Sequence, residues 1–172
     1  QSEHDELTGL YNKRSLNRYL EDVFEACKLN EKELGILFLD IDYFKQLNDH
    51  YGHGKGDEGI CAVADTLKKC FPEDYVARYG GDEFLVVMTG RDLEYAQERA
   101  QKLCTGIRER KIPNEDSKVE PWLTVSVGGV CAIPREPNRV WDFLSAADNT
   151  LYEQKKEQKG KVRFYQGEGK YL

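Results

Sequence analysis

The chain has 172 residues, which suits one domain with a full hydrophobic core and not two. It is 40% hydrophobic and 33% charged, and its longest apolar runs, Gly35 to Leu39 and Phe84 to Met88, are too short to span a bilayer. A formal net charge of −6 argues against long nucleic acid as a partner, while a small anion held with the help of a metal ion stays open.

Residues 1–12 are polar and turn-rich and read as a linker or turn segment. Gln1 to Glu6 has no signal-peptide character, and without a starting Met the chain reads as the C-terminal part of a longer protein. Leu16, Tyr19, Leu20, Val23, Phe24 and Cys27 recur at helical spacing and predict a helix over about Lys13 to Leu29. Leu34 to Ile41 reads as a buried strand, and Tyr43 to His50 as a short helix or loop. Gly52, Gly54, Gly56 and Gly59 break the chain, so Asp57 is expected to cap a helix over Glu58 to Cys70. Tyr75 to Tyr79 and Phe84 to Thr89 form a β-hairpin around Gly80-Gly81, with positive φ expected at the two glycines. A helix over Leu93 to Arg110, a strand over Trp122 to Ala132, a helix over Val140 to Glu157 and a strand over Val162 to Tyr165 follow. Helices and strands alternate but one hairpin is embedded. The expected class is therefore α+β, a mixed central sheet with helices packed around it, in a single domain over 1–172.

The five cysteines, Cys27, Cys61, Cys70, Cys104 and Cys131, are widely spaced and form no CxxC pair. Most sit in apolar stretches and read as small core residues, and free thiols in a domain of this size fit a reducing cytoplasm.

Two acidic clusters carry the chemistry. Asp40-Ile41-Asp42 ends a hydrophobic strand, and Asp82-Glu83 sits in the hairpin. Carboxylates flanked by apolar residues are costly to keep charged unless something pairs with them. Mg²⁺ takes one or two carboxylates plus substrate phosphates, and two clusters on neighbouring strands can serve phosphoryl or nucleotidyl transfer. Either cluster taken alone reads more readily as ordinary turn and strand-end acids. Gly80 and Gly81 let the backbone approach a ligand closely. Amides after Asp42, at a helix start, suit phosphate oxygens, and Lys45 adds charge. Asn48 and Asp57 have the donors and acceptors for a guanine edge. His53, with no second His at ligand spacing, reads as a loop-tying residue.

Taken together these segments resemble the GGDEF domain of diguanylate cyclases. Asp5 to Arg14 is similar to the DxLTGLxNRR opening, Phe38 to Asp49 to the first metal and substrate motif, and Gly52-His53 with Gly56-Asp57 to GHxxGD. Arg78 to Phe84 is similar to the signature hairpin, Ser126 to Gly129 to the SxG strand, and Ala147-Asp148, Leu151-Tyr152 and Lys155 to the last helix. The resemblance implies a ferredoxin-like, palm-type core similar to the adenylate cyclase catalytic domain. It implies a two-fold dimer in which two GTP give cyclic di-GMP and two pyrophosphates, with Mg²⁺ or Mn²⁺ as cofactor. It further implies Asp40, Asp82 and Glu83 at the metals with the Ile41 carbonyl, and Asp82 and Glu83 as catalytic acids. Tyr43, Phe44, Lys45, Gly80, Gly81 and Lys155 would contact substrate, and Asn48 and Asp57 would bind guanine. An isolated domain would be weakly active, and an upstream sensory region would drive dimerisation and carry any membrane anchor.

Two departures stand out. The family's product-inhibition motif, RxxD, has Phe71 at the arginine position with Asp74 retained, so no inhibitory site is expected. After Lys155, both Lys159 and Lys161 are available for the phosphate role of the family's arginine. Three readings follow: a cyclase, a non-catalytic module that binds GTP or cyclic di-GMP, and an enzyme of relaxed base choice. Survival of Asp40, Asp82 and Glu83 favours the first, and Asp57 argues against the third.

Overall fold

The computed structural model describes residues 2–167 and Leu172. Its elements run α1 (Lys13–Asn30), β1 (Leu34–Ile41), α2 (Phe44–Tyr51), α3 (His53–Cys70), β2 (Tyr75–Arg78), β3 (Glu83–Thr89), α4 (Leu93–Glu109), β4 (Val125–Ala132), α5 (Val140–Glu157) and β5 (Val162–Phe164). The strands form one mixed sheet in the order β2-β3-β1-β4-β5. All neighbours are antiparallel except β4 and β5, which run parallel.

β1 is central, and the period of two along it sorts its side chains onto two cores. Leu37, Leu39 and Ile41 face α3 and α4 with Ile60, Val63, Leu67 and Leu103. Leu34, Ile36 and Phe38 face α1 and α5 with Leu16, Leu20, Phe24 and Phe143. Asp40 continues the second set. The same alternation on β3 puts Leu85 and Val87, and by extension Glu83, on that face too. Local capping agrees: Asn12 accepts from the Ser15 amide ahead of α1, and Asp92 accepts from the Tyr95 amide ahead of α4.

Three sequence expectations are corrected. First, α3 begins at His53, behind Gly52 at φ 90°, so Asp57 is inside the helix and caps nothing. The glycines within it are needed for space: a Cβ at Gly56 would strike the Asn48 amide, and one at Gly59 would press on Leu123. Second, β4 starts at Val125 rather than Trp122, because Leu123 donates its amide to Ile112 and Trp122 bridges to Pro113. Third, neither Gly80 nor Gly81 lies at left-handed φ. Four residues, not two, separate β2 from β3, and the Tyr79 and Gly80 amides both donate to the Glu83 carbonyl.

Tyr11 alone among residues 2–12 pairs with the sheet edge, through an isolated bridge to Ala77. Tyr11 exchanges backbone hydrogen bonds with Val76 and Arg78, and its ring stacks on Tyr75, which stacks on Tyr19. Among the described residues no helix is long and apolar enough to cross a membrane.

Candidate active site

Asp40 is the last outward residue of β1 and lies directly across the ladder from Glu83. Asp82 precedes β3, and its carbonyl accepts from the Ile41 amide at 3.3 Å. The two acidic clusters are thus joined by backbone pairing. Asp40, Ile41, Asp82, Lys155 and the start of α2 line a cleft of about 560 Å³. Glu83 opens instead into an adjoining depression of about 300 Å³, beside Tyr79, Trp141 and Asp148.

The DxD pair divides in two. Asp42 is buried and accepts from the Thr124 hydroxyl at 2.8 Å and the Ser126 hydroxyl at 2.5 Å, which makes it a structural anchor under the site. Asp40 accepts from Lys155 at 2.6 Å through one oxygen, while its other oxygen is buried with no hydrogen-bond partner.

Burial raises the Asp40 carboxyl above its ordinary value, against the pull of Lys155. Burial also raises Asp82, with Asp40 adding repulsion, and it raises Glu83, with Asp82, Asp40 and Asp148 adding to it. Lys155 loses some charge preference to burial, but its bond with Asp40 wins and raises it. Lys155, with Lys159 acting on Asp40 from further off, thus stands among several crowded carboxylates, and one Asp40 oxygen is left without a partner. Two carboxylates and a main-chain carbonyl are hard oxygen donors, and the set fits a divalent cation that completes its shell with water and phosphate. No group of three His, Cys, Asp or Glu side chains gathers for a metal among the described residues, so Asp40, Asp82 and Glu83 do not converge as a three-acid set.

The turn into α2 is held unusually. Tyr43, the N-cap, lies at φ 54°, ψ 39° and has no side-chain cap, so the first amides of α2 have no capping side chain at the edge of the cleft. Asn114 supports this turn from behind. It is fully buried, its amide donates to Pro121, and its side-chain nitrogen faces the Asp42 and Tyr43 carbonyls at 3.5 and 3.4 Å. Sequence reasoning missed Asn114, since an Asn in a Pro- and charge-rich loop reads as a turn residue; its one signal is polarity between Ile112 and the apolar strand.

Of the other predicted residues, Phe44, Lys45 and Asn48 line the cleft, as does His53 at the start of α3. Lys45 is exposed and pairs with Asp49 one turn on at 2.8 Å. The Asn48 side-chain oxygen is buried without a partner, and Asp57 is exposed and outside the cleft lining. Gly80 makes room for Glu83: a Cβ there would strike the carboxylate, whereas one at Gly81 meets nothing within 4 Å. Lys159 lines the cleft beside Lys155 and lies 5.6 Å from the Tyr43 ring centre; Lys161 does not line it. Phe71 is buried in the core, and Asp74 accepts from the Tyr95 hydroxyl at 2.8 Å.

Residues 2–161 match the family described as diguanylate cyclase, GGDEF domain. The chain is 33% identical over 157 residues to a protein of Escherichia coli K12 named probable diguanylate cyclase DgcC, covering 90% of this chain and 41% of that one. It is 31% identical to Pseudomonas aeruginosa NbdA, named a cyclic di-GMP phosphodiesterase, covering 94% of this chain and 20% of that one. The chain therefore spans under half the length of these relatives. The GGDEF domain of DgcB from Caulobacter crescentus, crystallised with c-di-GMP, superposes with a TM-score of 0.87 at 23% identity, covering 97% of this chain and 98% of that one, which shows a shared fold.

Proposed function

The chain belongs to the GGDEF domain family of diguanylate cyclases, and from that premise we propose that it condenses two GTP into cyclic di-GMP and two pyrophosphates. The observation that carries this reading is the Asp40–Glu83 register, which sets the acids of two strand ends side by side with Lys155 in reach.

Asp40 and Asp82, with the Ile41 carbonyl, would hold Mg²⁺ or Mn²⁺, with Glu83 at its edge. A bound divalent ion supplies neutralisation of the triphosphate and a lower pKa for the attacking 3′-hydroxyl. The chain's own groups do the rest. Amides at Tyr43, Phe44 and Lys45 receive phosphate oxygens, and Lys155 and Lys159 add positive charge along the chain of phosphates. Asn48 presents its free oxygen to a guanine donor, and Asp57, exposed on α3 outside the cleft lining, would accept from the same edge. Gly80 keeps the Glu83 carboxylate free to take up or direct a proton. Each domain holds one GTP, so two domains face each other about a two-fold axis and each 3′-oxygen attacks the other nucleotide's α-phosphorus. All five cysteines are unpaired thiols, which supports a reducing, cytoplasmic setting.

A regulatory nucleotide-binding role draws on one observation, the similarity to a domain that makes up a fifth of a protein named a phosphodiesterase. One experiment separates the readings. The domain is fused to a dimerising coiled coil and given Mg²⁺ with GTP, ATP or both. Cyclic di-GMP from GTP alone is expected. Nucleotide binding without product would favour the regulatory role, and mixed dinucleotides at comparable rate would favour relaxed base choice.

A further inference from the structure

Beside the nucleotide cleft lies a trough of about 400 Å³ that shares Tyr43, Lys155 and Lys159 with it. Its remaining walls include Arg108, Lys118, Lys161, Glu120 and Glu157. Both acids are already matched: Glu120 pairs with Arg108 at 3.5 Å, and Glu157 pairs with Arg163. Lys155 is committed to Asp40. Lys118, Lys159 and Lys161 have no carboxylate partner among the described residues. In a chain of net charge −6, three unmatched cations in one concavity make a local positive field.

The backbone that carries two of them is pinned. Gly160, at φ 80°, donates its amide to the Ser126 hydroxyl at 2.9 Å and accepts from the Arg108 guanidinium at 2.6 Å. A Cβ at Gly160 would press on Arg108 and Val119. The Lys161 carbonyl accepts from the Val127 amide at 3.0 Å, and the Gln158 carbonyl accepts from the Gln154 side chain at 2.6 Å. Ser126 in turn donates to Asp42, so this turn is tied to the floor of the nucleotide cleft. A ligand here finds its cations on an ordered support, which lowers the entropy lost on binding.

We propose that the trough is a second anion site that takes inorganic pyrophosphate. This rests on the cyclase reading, because that reaction produces the ligand. As the 3′-oxygen bonds to the α-phosphorus, the bond from the α-phosphorus to the α–β bridging oxygen breaks. Pyrophosphate leaves with that oxygen and the electron pair, and the hydroxyl proton passes by way of Glu83 to solvent. Lys155 and Lys159 border both depressions, so the departing anion moves from one to the other without leaving positive field. The trough has no aromatic wall beyond Tyr43, which suits a bare phosphate chain and not a nucleoside.

The test is calorimetric titration of pyrophosphate into the chain saturated with Mg²⁺ and a non-hydrolysable GTP analogue. Wild type is compared with the Lys118→Glu/Lys161→Glu double variant, whose positions are both exposed. Wild type is expected to bind pyrophosphate with the analogue in place. The double variant should lose at least tenfold of that affinity while its analogue affinity stays within twofold and its melting temperature holds. Exclusion of pyrophosphate by the analogue, or equal loss of affinity for both ligands, overturns the proposal. Should the analogue not bind, the cyclase reading fails separately. Pyrophosphate titrated into the chain alone then decides: a tenfold deficit in the variant supports the trough, and equal affinity overturns it.

Discussion

Asp5 and Arg78, 73 positions apart in sequence, meet in an ion pair of 3.2 Å, and the same guanidinium donates to the carbonyls of Gly80 and Gly81. One arginine therefore ties the N-terminal turn to the hairpin that carries Asp82. Burial acts to raise the Asp5 carboxyl, but the Thr8 hydroxyl and amide and Arg78 outweigh it and hold it below its ordinary 3.8. A depressed acid stabilises the fold above its unfolded pKa, and that contribution is lost as pH falls through the folded value. Asp5→Asn is expected to cost about 1 kcal/mol near neutral pH. Its deficit against wild type should shrink below about pH 4, where the unfolded acid itself protonates. Urea melts across pH check this, and a deficit that grows on acidification would contradict it.

Replacing Asp82 should separate activity from stability. Asp82→Asn removes one of the crowded carboxylates beside Asp40, so the metal-free variant should melt no lower than wild type, and preferably higher. Cyclic di-GMP formation should fall by about a hundredfold or more, the scale seen when a group that stabilises developing charge is removed. Calorimetric melting beside a product assay reads both.

The two hairpin glycines should not be equivalent. Gly80→Ala forces the Glu83 carboxylate aside, whereas Gly81→Ala enters open space. Turnover should drop at least tenfold for the first and stay within about threefold for the second, with both melting near wild type. These bounds correspond to about 1.4 and 0.6 kcal/mol in the barrier. Equal losses in the two variants would remove the steric role assigned to Gly80.

Asn114 should act on nucleotide affinity. Asn114→Asp keeps the size but withdraws the donors that face the Asp42 and Tyr43 carbonyls. It should destabilise by about 1–3 kcal/mol, the usual cost of unpaired buried acceptors. It should also raise KM for GTP more than it lowers kcat, because in the proposed function the Tyr43 turn presents amides to the substrate phosphates. A change in kcat alone would place Asn114 elsewhere in the reaction.

Product should not brake this domain through Asp74. Phe71 is sealed in the core, and Asp74 already accepts from Tyr95. Cyclic di-GMP titrated into the metal-free chain should bind weakly and equally to wild type and Asp74→Ala. Tight binding abolished by that substitution would restore the inhibitory site.

Most of the scaffold was legible from periodicity: the element order, the embedded hairpin, the mixed sheet and the two acidic clusters all follow from spacing along the chain. What failed was local and had tertiary causes. Gly54, Gly56 and Gly59 looked like a helix break, but Gly56 and Gly59 make room for Asn48 and Leu123, side chains that no short-range pattern could place beside them. Gly80-Gly81 looked like a tight turn, and Gly80 is instead small for the sake of Glu83. Asp40 and Asp42 looked alike, yet Thr124 and Ser126 claim only the second. Asn114 was invisible because its partners are main-chain carbonyls some seventy residues away.

The ladder that sets Asp40 opposite Glu83 is made of the same hydrogen bonds that hold the core together. A slip of one residue would turn every side chain of β1 to the opposite face and destroy both layers at once. The placement of the acids is thus inherited with the domain and cannot drift gradually. The acids themselves are a single substitution from loss, and Asp82, raised by burial and by Asp40, is the one the fold should miss least. Lineages that lose Asp82 should therefore keep a fold as robust as before, and the proposed chemistry is what would hold that crowded carboxylate in place.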